Sequence, residues 1–237
     1  MDYQVTIVGG GVSGALMALN LGKAGITTCL IDKDTPSVKL ENPFTGRTTS
    51  LNLSSIESFK HAGVWEVVKE RSQEFDQIFV WDAEGSSSVQ FHADEIDKKD
   101  LGVIVHNNIL LEALYEEIQN ISEINLIEKE SLADFSQDQK EIKIETNSGD
   151  FISSELLVGA DGSLSRVRDL SKIPIRTWSY EQLAIVASVK TEKPLNKTAF
   201  QIFTDTGPIA FLPLPNERNI ASLIWSTDQN YGERVLK

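Results

Sequence analysis

The sequence predicts an α/β fold in which a Rossmann-like domain is interleaved with an antiparallel β-sheet. Three patterns support this prediction: a strand, glycine turn, helix and strand at the start of the chain, a hairpin in its middle, and regularly spaced strands after Pro174. The first pattern comprises a buried strand at 3–8, an amphipathic helix at 13–24 and a second buried strand at 27–31. Such a βαβ unit builds a parallel sheet with a right-handed crossover.

The second architecture consists of strands joined by short turns. Residues 76–93 hold two apolar segments on either side of a polar turn, which is typical of a β-hairpin. Residues 175–237 hold further strand segments separated by turns, which indicates an antiparallel sheet. We therefore expect a Rossmann-like domain over 1–75 and 100–172, and a substrate domain over 76–99 and 173–237.

The composition indicates a globular protein with an acidic surface. The 237 residues carry a net charge of −13 and give a pI near 4.7. Nucleic-acid binding needs clustered Lys and Arg, so we exclude a nucleic-acid partner. No apolar run approaches the ~18 residues of a membrane span, and no signal-peptide pattern precedes the first strand. We expect a cytoplasmic protein and leave association with a membrane surface open, because a local patch can override net charge.

The cysteine and the histidines give no sign of metal or redox chemistry. Cys29 lies in an apolar strand, where a small core residue is expected. His61, His92 and His106 are scattered without the spacing of metal ligands. We therefore expect no metal site.

The strongest local motif is a glycine-rich turn between the first strand and the first helix. Gly9, Gly11 and Gly14 have the Gly-x-Gly-x-x-Gly spacing, and Val12 and Ser13 begin the helix. The first glycine allows a tight turn, the second lets a pyrophosphate approach the backbone, and the third lets the helix pack closely on the strand. The helix N-terminus then offers N–H groups and a positive dipole end to phosphates.

Asp32 strengthens this interpretation. It ends the second strand 18 residues after Gly14, where an acid binds the ribose hydroxyls of an adenosine. The two features together predict a dinucleotide site. The pattern by itself does not separate FAD from NAD.

A second motif follows much later, in "LLVGADGSLSRVR" at 156–168. A buried strand leads into an Asp-Gly turn at Asp161 and Gly162. This stretch resembles the second fingerprint of the FAD-dependent aromatic-ring hydroxylases, and the resemblance implies that both residues lie close to the dinucleotide. The alternative is a simple helix cap built on an Asp-Gly turn.

Two further stretches resemble the ubiquinone-biosynthesis hydroxylases within that class. "GRTTSLNLSSIESFKHAGVW" matches their arginine-led segment before a helix, and "FQIFTDTGPIAFLPLPNERNIASLIWS" matches the strands of their substrate domain. The resemblance implies that Arg47 lies beside the flavin. It also implies FAD as cofactor, with NADH or NADPH as reductant.

The function implied by the resemblance is FAD-dependent hydroxylation of the aromatic ring of a polyprenylated phenol in ubiquinone biosynthesis. The partners would be a hydrophobic phenolic substrate and O2, and peripheral membrane or biosynthetic-complex association is left open. No side chain is identified as a catalytic acid or base, because FAD carries the redox chemistry in such enzymes.

Two alternatives stand beside this prediction. One is another FAD oxidoreductase of the same superfamily, of the prenyl reductase type. The other is a truncated, non-catalytic fragment that binds nucleotide. The family has a third FAD fingerprint that we expect beyond residue 237, and its absence from these 237 residues predicts weak FAD binding by the chain alone.

Overall fold

The computed structural model describes residues 2–34, 47–215 and 219–236. It divides into two compact units. The described residues of the first unit fall within Met1–Val38, Phe59–Val64 and Leu110–Arg176. Those of the second fall within Lys39–Ser58, Trp65–Ile109 and Thr177–Lys237.

The first unit is built on a six-stranded sheet. Its strands, numbered along the chain and given in spatial order, are β8 (Ile124–Glu128), β2 (Thr28–Asp32), β1 (Tyr3–Val8), β11 (Phe151–Gly159), β10 (Ile142–Thr146) and β9 (Leu132–Gln137). The four strands from β8 to β11 in this order pair in parallel with one another, whereas β10 pairs antiparallel with both β11 and β9. The parallel part contains the predicted βαβ unit, with helix α1 (Val12–Lys23) as its crossover.

The core of the first unit forms where apolar runs are buried on this sheet. The residues of one buried cluster are Val8, Cys29, Ile31, Leu132, Ile142, Ile144, Ile152 and Val167. Cys29 is fully buried, and desolvation raises the pKa of its thiol to about 12. The thiol is therefore a packing group, as expected. The helix α5 (Arg166–Leu170) follows β11 and contributes Val167 to this cluster.

The second unit contains the other two sheets. One has six strands in the order β12 (Gln182–Lys190), β15 (Ile220–Asp228), β14 (Gly207–Pro213), β13 (Thr198–Thr204), β5 (Gln77–Asp82) and β6 (Ser88–His92). The other has three strands in the order β3 (Thr48–Asn52), β7 (Gly102–His106) and β4 (Gln73–Phe75). A 3₁₀ helix, Ala93–Ile96, follows β6.

The remaining helices are α2 (Leu53–His61), α3 (Trp65–Glu70), α4 (Asn107–Ile118) and α6 (Gln229–Val235). Two of the borders between the units fall within helices, one in α2 and one in α4. No helix in the described ranges has both the length and the apolar character needed to cross a membrane.

The predicted fold class is confirmed, with one correction to the sheet. The hairpin and the later strands do share one sheet, but β5 and β13 pair in parallel, with Phe79 opposite Phe200. The sheet is therefore mixed rather than purely antiparallel. More than 100 residues separate these two strands in the sequence, so no tight turn forces them to be antiparallel.

The two units also differ from the domain bounds predicted from the sequence. Strands β3, β4 and β7 were expected in the Rossmann-like domain but belong to the second unit. The reason is packing: one buried cluster joins Phe75 and Ile104 of the small sheet to Ala199, Leu214 and Ile220 beside or within the large one. The burial of apolar surface between the two sheets decides which unit these strands belong to. The sequence does not show which strands bury such surface together.

Candidate functional site

A cleft lies where the parallel strands of the first unit end. Strands β1 and β11 are neighbours in register, with Val8 opposite Gly159, and β2 pairs with the other edge of β1. The cleft has a volume of about 450 Å³, within the range of small-molecule sites. Its lining residues are Val8, Gly9, Gly11, Ile31, Asp32, Lys33, Asp34, Glu130, Ser131, Leu132, Ala160, Asp161, Gly162, Leu164 and Arg166.

The glycine-rich turn forms one wall, and its glycines are required by close packing. Gly9 has φ of +105°, and a Cβ there would overlap the backbone of Ala160. A Cβ at Gly14 would overlap the carbonyl oxygen of Gly9, because α1 packs tightly against the turn. At Gly11, by contrast, no described heavy atom lies within 4 Å of the Cβ position. The space above Gly11 is therefore open to a ligand.

The N-terminus of α1 has the properties of an anion site. Gly11 is its N-cap, and within the described part of the chain no side chain caps it. Its first turn contains Val12, Ser13 and Gly14 and has no acidic residue. The first N–H groups of a helix have no partner within the helix, so here they can bind an anion together with the helix dipole.

Asp32 occupies the end of β2 and lines the cleft, where the sequence predicts it. Its carboxylate accepts hydrogen bonds from the N–H of Gly10 and, at 2.7 Å, from the N–H of Asp34. A carboxylate has about four acceptor positions, so capacity remains for a ligand hydroxyl. The carboxylate therefore holds the glycine-rich turn while facing the cleft.

Asp161 lies in the same cleft as Gly11, but its carboxylate is bonded to its own helix. It accepts hydrogen bonds from the Ser165 hydroxyl at 2.5 Å, from the N–H of Arg166 at 2.6 Å and from the N–H of Val167 at 3.2 Å. Gly162 has φ of +86°, which favours glycine in this turn. The helix cap that the sequence offered as an alternative is thus present, and it forms part of the cleft wall.

Arg47 belongs to the second unit, whereas the other predicted site residues belong to the first. It immediately precedes β3, its side chain is exposed, and its carbonyl accepts a hydrogen bond of 2.9 Å from the N–H of Asn107. The structure thus gathers Gly9, Gly11, Asp32, Asp161 and Gly162 at one cleft.

Sequence reasoning missed several residues at this cleft. Gly10 is buried and bonded to Asp32, and the hydroxyl of Tyr115 donates to the Gly10 carbonyl at 2.9 Å. Glu130 lines the cleft, and its N–H donates to the Asp32 carbonyl at 3.0 Å. Hydrogen bonds from Ser148 and the Ser131 backbone lower the pKa of Glu130. The adjacent glycine in "GGG" was a usable signal for Gly10, whereas a tyrosine 105 residues away carried none.

A separate apolar cavity of about 380 Å³ lies in the second unit. Its lining residues are Trp81, Thr191, Lys193, Pro194, Leu195, Phe200 and Phe211. Trp81 and Phe200 pack edge to face, with ring centroids 6.3 Å apart. Aromatic walls with few polar groups are typical of sites for hydrophobic ligands.

The cleft of the first unit fits a dinucleotide. An open position above Gly11, a helix N-terminus without a side-chain cap and a carboxylate at the end of the neighbouring strand are the features that suit the pyrophosphate and ribose of such a cofactor. The family model described as "FAD binding domain" matches residues 2–234. This chain belongs to that FAD-binding family. The predicted resemblance is therefore confirmed.

Named relatives of this FAD-binding chain include two enzymes of ubiquinone biosynthesis. The mitochondrial ubiquinone biosynthesis monooxygenase COQ6 of Caenorhabditis elegans is 31% identical over 98% of the chain and 54% of its own length. The 3-demethoxyubiquinol 3-hydroxylase of Escherichia coli is 31% identical over 94% of the chain and 56% of its own length. The FAD-binding chain thus spans about half the length of these relatives.

Solved structures share the fold at lower identity. PqsL of Pseudomonas aeruginosa, described as a probable FAD-dependent monooxygenase, superposes with a TM-score of 0.82 at 19% identity, over 98% of the FAD-binding chain and 62% of its own. The p-nitrophenol 4-monooxygenase PnpA of Pseudomonas putida superposes with a TM-score of 0.81 at 16% identity. The match covers 99% of the FAD-binding chain and 61% of PnpA. At these identities, the two structures show a similar fold and nothing more.

Proposed function

We propose that this chain is the cofactor-binding part of an FAD-dependent monooxygenase that hydroxylates the aromatic ring of a polyprenylated phenol in ubiquinone biosynthesis. The observation that carries the proposal is the match along nearly the whole chain to relatives named for ubiquinone hydroxylation. In the overall reaction, one oxygen atom of O2 enters the ring and the other leaves as water. NADH or NADPH supplies the two electrons.

In this proposal the glycine-rich turn binds the pyrophosphate of FAD. Gly9 and Gly14 bring the turn and α1 together, and Gly11 leaves the approach open. The N–H groups at Val12 and Ser13 donate to phosphate oxygens at the positive end of the helix dipole. Bound FAD supplies the redox chemistry, and the protein's part is to bind and orient it.

Four other predicted residues complete the cofactor site in this proposal. Asp32 accepts hydrogen bonds from the adenosine ribose. Asp161 and Gly162 shape the opposite wall, with the Asp161 carboxylate holding that turn rigid through α5. Arg47 contacts the flavin end; this role comes from the family resemblance.

The apolar cavity of the second unit is the best candidate for the hydrophobic part of the substrate. Its aromatic side chains, Trp81, Phe200 and Phe211, lie half-buried at a sheet surface. Burying an apolar chain against them would release water from both surfaces, at about 25 cal/mol per Å². Because a polyprenylated phenol dissolves in lipid, we also propose that the whole protein works at a membrane surface.

The test uses the full-length protein that contains this chain. Flavin fluorescence titration measures FAD binding, and NADH or NADPH oxidation is followed with and without O2 and a short-chain prenylphenol. We expect oxidation that requires both, with a product heavier by one oxygen atom. Reduction of the prenyl double bonds would instead support the reductase alternative, and FAD binding without any turnover would support the non-catalytic alternative.

A further inference from the structure

A hydrogen-bond chain links helix α4 to strand β2 through the peptide groups of Gly10. The Tyr115 hydroxyl donates to the Gly10 carbonyl at 2.9 Å. The Gly10 N–H donates to the carboxylate of Asp32. All three residues belong to the first unit, and Tyr115 is only 4% exposed.

The packing around Gly10 shows that this contact is close-fitting. A Cβ at Gly10 would overlap the Tyr115 hydroxyl and would lie 2.7 Å from the Asp32 carboxylate. Tyr115 therefore occupies the side of Gly10 where any other residue would carry its side chain.

The electrostatics keep the hydroxyl in its donating form. Burial, reinforced by the negative charges of Asp32 and Glu128, raises the pKa of Tyr115 well above its ordinary value. A tyrosine hydroxyl is protonated at neutral pH in any case, and the raised pKa keeps it a donor at higher pH as well. The two polar groups of Gly10 therefore have separate partners. The carbonyl accepts from Tyr115, and the N–H donates to the carboxylate of Asp32.

We infer that Tyr115 is a positioning residue for the dinucleotide. Its hydrogen bond to the Gly10 carbonyl orients the turn between Gly9 and Gly11. Because the N–H of Gly10 donates to Asp32, the same bond also keeps the Asp32 carboxylate in place at the cleft. This inference rests on the proposed FAD site, but it assigns a role to a residue of α4 that does not itself line the cleft. Loss of the hydroxyl leaves a buried carbonyl without its partner and frees the turn.

The test compares Tyr115→Phe with Tyr3→Phe. Tyr3 also uses its hydroxyl in a side-chain hydrogen bond, accepting from Asn125 at 2.8 Å, but it lies at the opposite end of β1 from the cleft. Both variants lose one hydroxyl from the first unit. In the full-length protein, FAD affinity is measured by flavin fluorescence, stability by thermal unfolding, and local order by hydrogen exchange of the peptide containing Gly10.

We expect Tyr115→Phe to weaken FAD binding about fivefold, the equivalent of one hydrogen bond of ~1 kcal/mol, while Tyr3→Phe leaves FAD affinity unchanged. Exchange at Gly10 should accelerate in Tyr115→Phe alone, even without FAD. In an Asp32→Ala background the effect of Tyr115→Phe on affinity should shrink, because the chain is already broken.

Equal FAD affinities for the two tyrosine variants, or unchanged exchange at Gly10, would overturn the inference. If the wild-type protein binds no FAD, the proposed function fails. The exchange measurement then still decides whether Tyr115 orders the turn.

Discussion

The turns after β1 and β11 use the helix that follows them in opposite ways. The two strands are parallel neighbours, with Val8 opposite Gly159, so both turns open at the same edge of the sheet. After β1, the described structure places no side-chain cap on α1. After β11, Ser165 and Asp161 bond the N–H groups of α5.

The difference shows what makes a turn suitable for an anion. Both turns contain glycine, and both precede a helix, so the local sequence patterns look equivalent. A helix whose first N–H groups are already bonded to a carboxylate has neither donors nor positive potential left for a phosphate. In the proposed function, the first turn therefore binds the pyrophosphate, whereas the second forms a wall of the cleft.

The largest effect is expected from glycine substitutions in the first turn. Gly14→Ala places a methyl group against the Gly9 carbonyl, so we expect a loss of about 3 kcal/mol in the free energy of unfolding. Gly11→Ala meets no described atom and should cost at most ~1 kcal/mol, yet it should weaken FAD binding. Chemical denaturation and FAD titration of both variants test this, and similar stabilities would contradict the packing argument.

A smaller effect is expected at Asp32, the carboxylate that lines the cleft at the end of β2. Asp32→Ala should weaken FAD binding ten- to hundredfold, the loss of charge-assisted hydrogen bonds worth about 1.5–3 kcal/mol. Asp34→Asn is the matched control, because it removes a charge from the same cleft two residues later. FAD titration at fixed salt gives both values. If the control weakens binding as much as Asp32→Ala, general electrostatics rather than a ribose contact would explain the effect.

The smallest effect is expected at the capped turn, and it should fall on stability. Asp161→Ala removes acceptors for two backbone N–H groups of α5, and we expect a cost of about 1–2 kcal/mol. Ser165→Ala should cost ~1 kcal/mol by the same route. Thermal unfolding without FAD checks both. A variant at Asp161 that stays fully stable but loses FAD binding would show that this carboxylate contacts the cofactor directly.

Much of the fold could be predicted because its signals are local. The βαβ unit, the Asp-Gly turn and the later strands follow from apolar periodicity and turn residues within short windows. The parallel pairing of β5 with β13 could not be predicted, because strands far apart in sequence are joined by burial rather than by a turn. For the same reason, the sequence could not predict that β3, β4 and β7 belong to the second unit.

The sequence by itself determined the glycine-rich turn, the acid at the end of the next strand and the second turn, since each depends on neighbouring residues. Only the tertiary structure decided how the two acids are used. Asp161 is bonded to its own helix, and Asp32 is held by Gly10, which Tyr115 holds in turn. Hydrogen-bond partners of buried groups are chosen by three-dimensional proximity, and a contact between residues 10 and 115 leaves no periodic trace in the sequence.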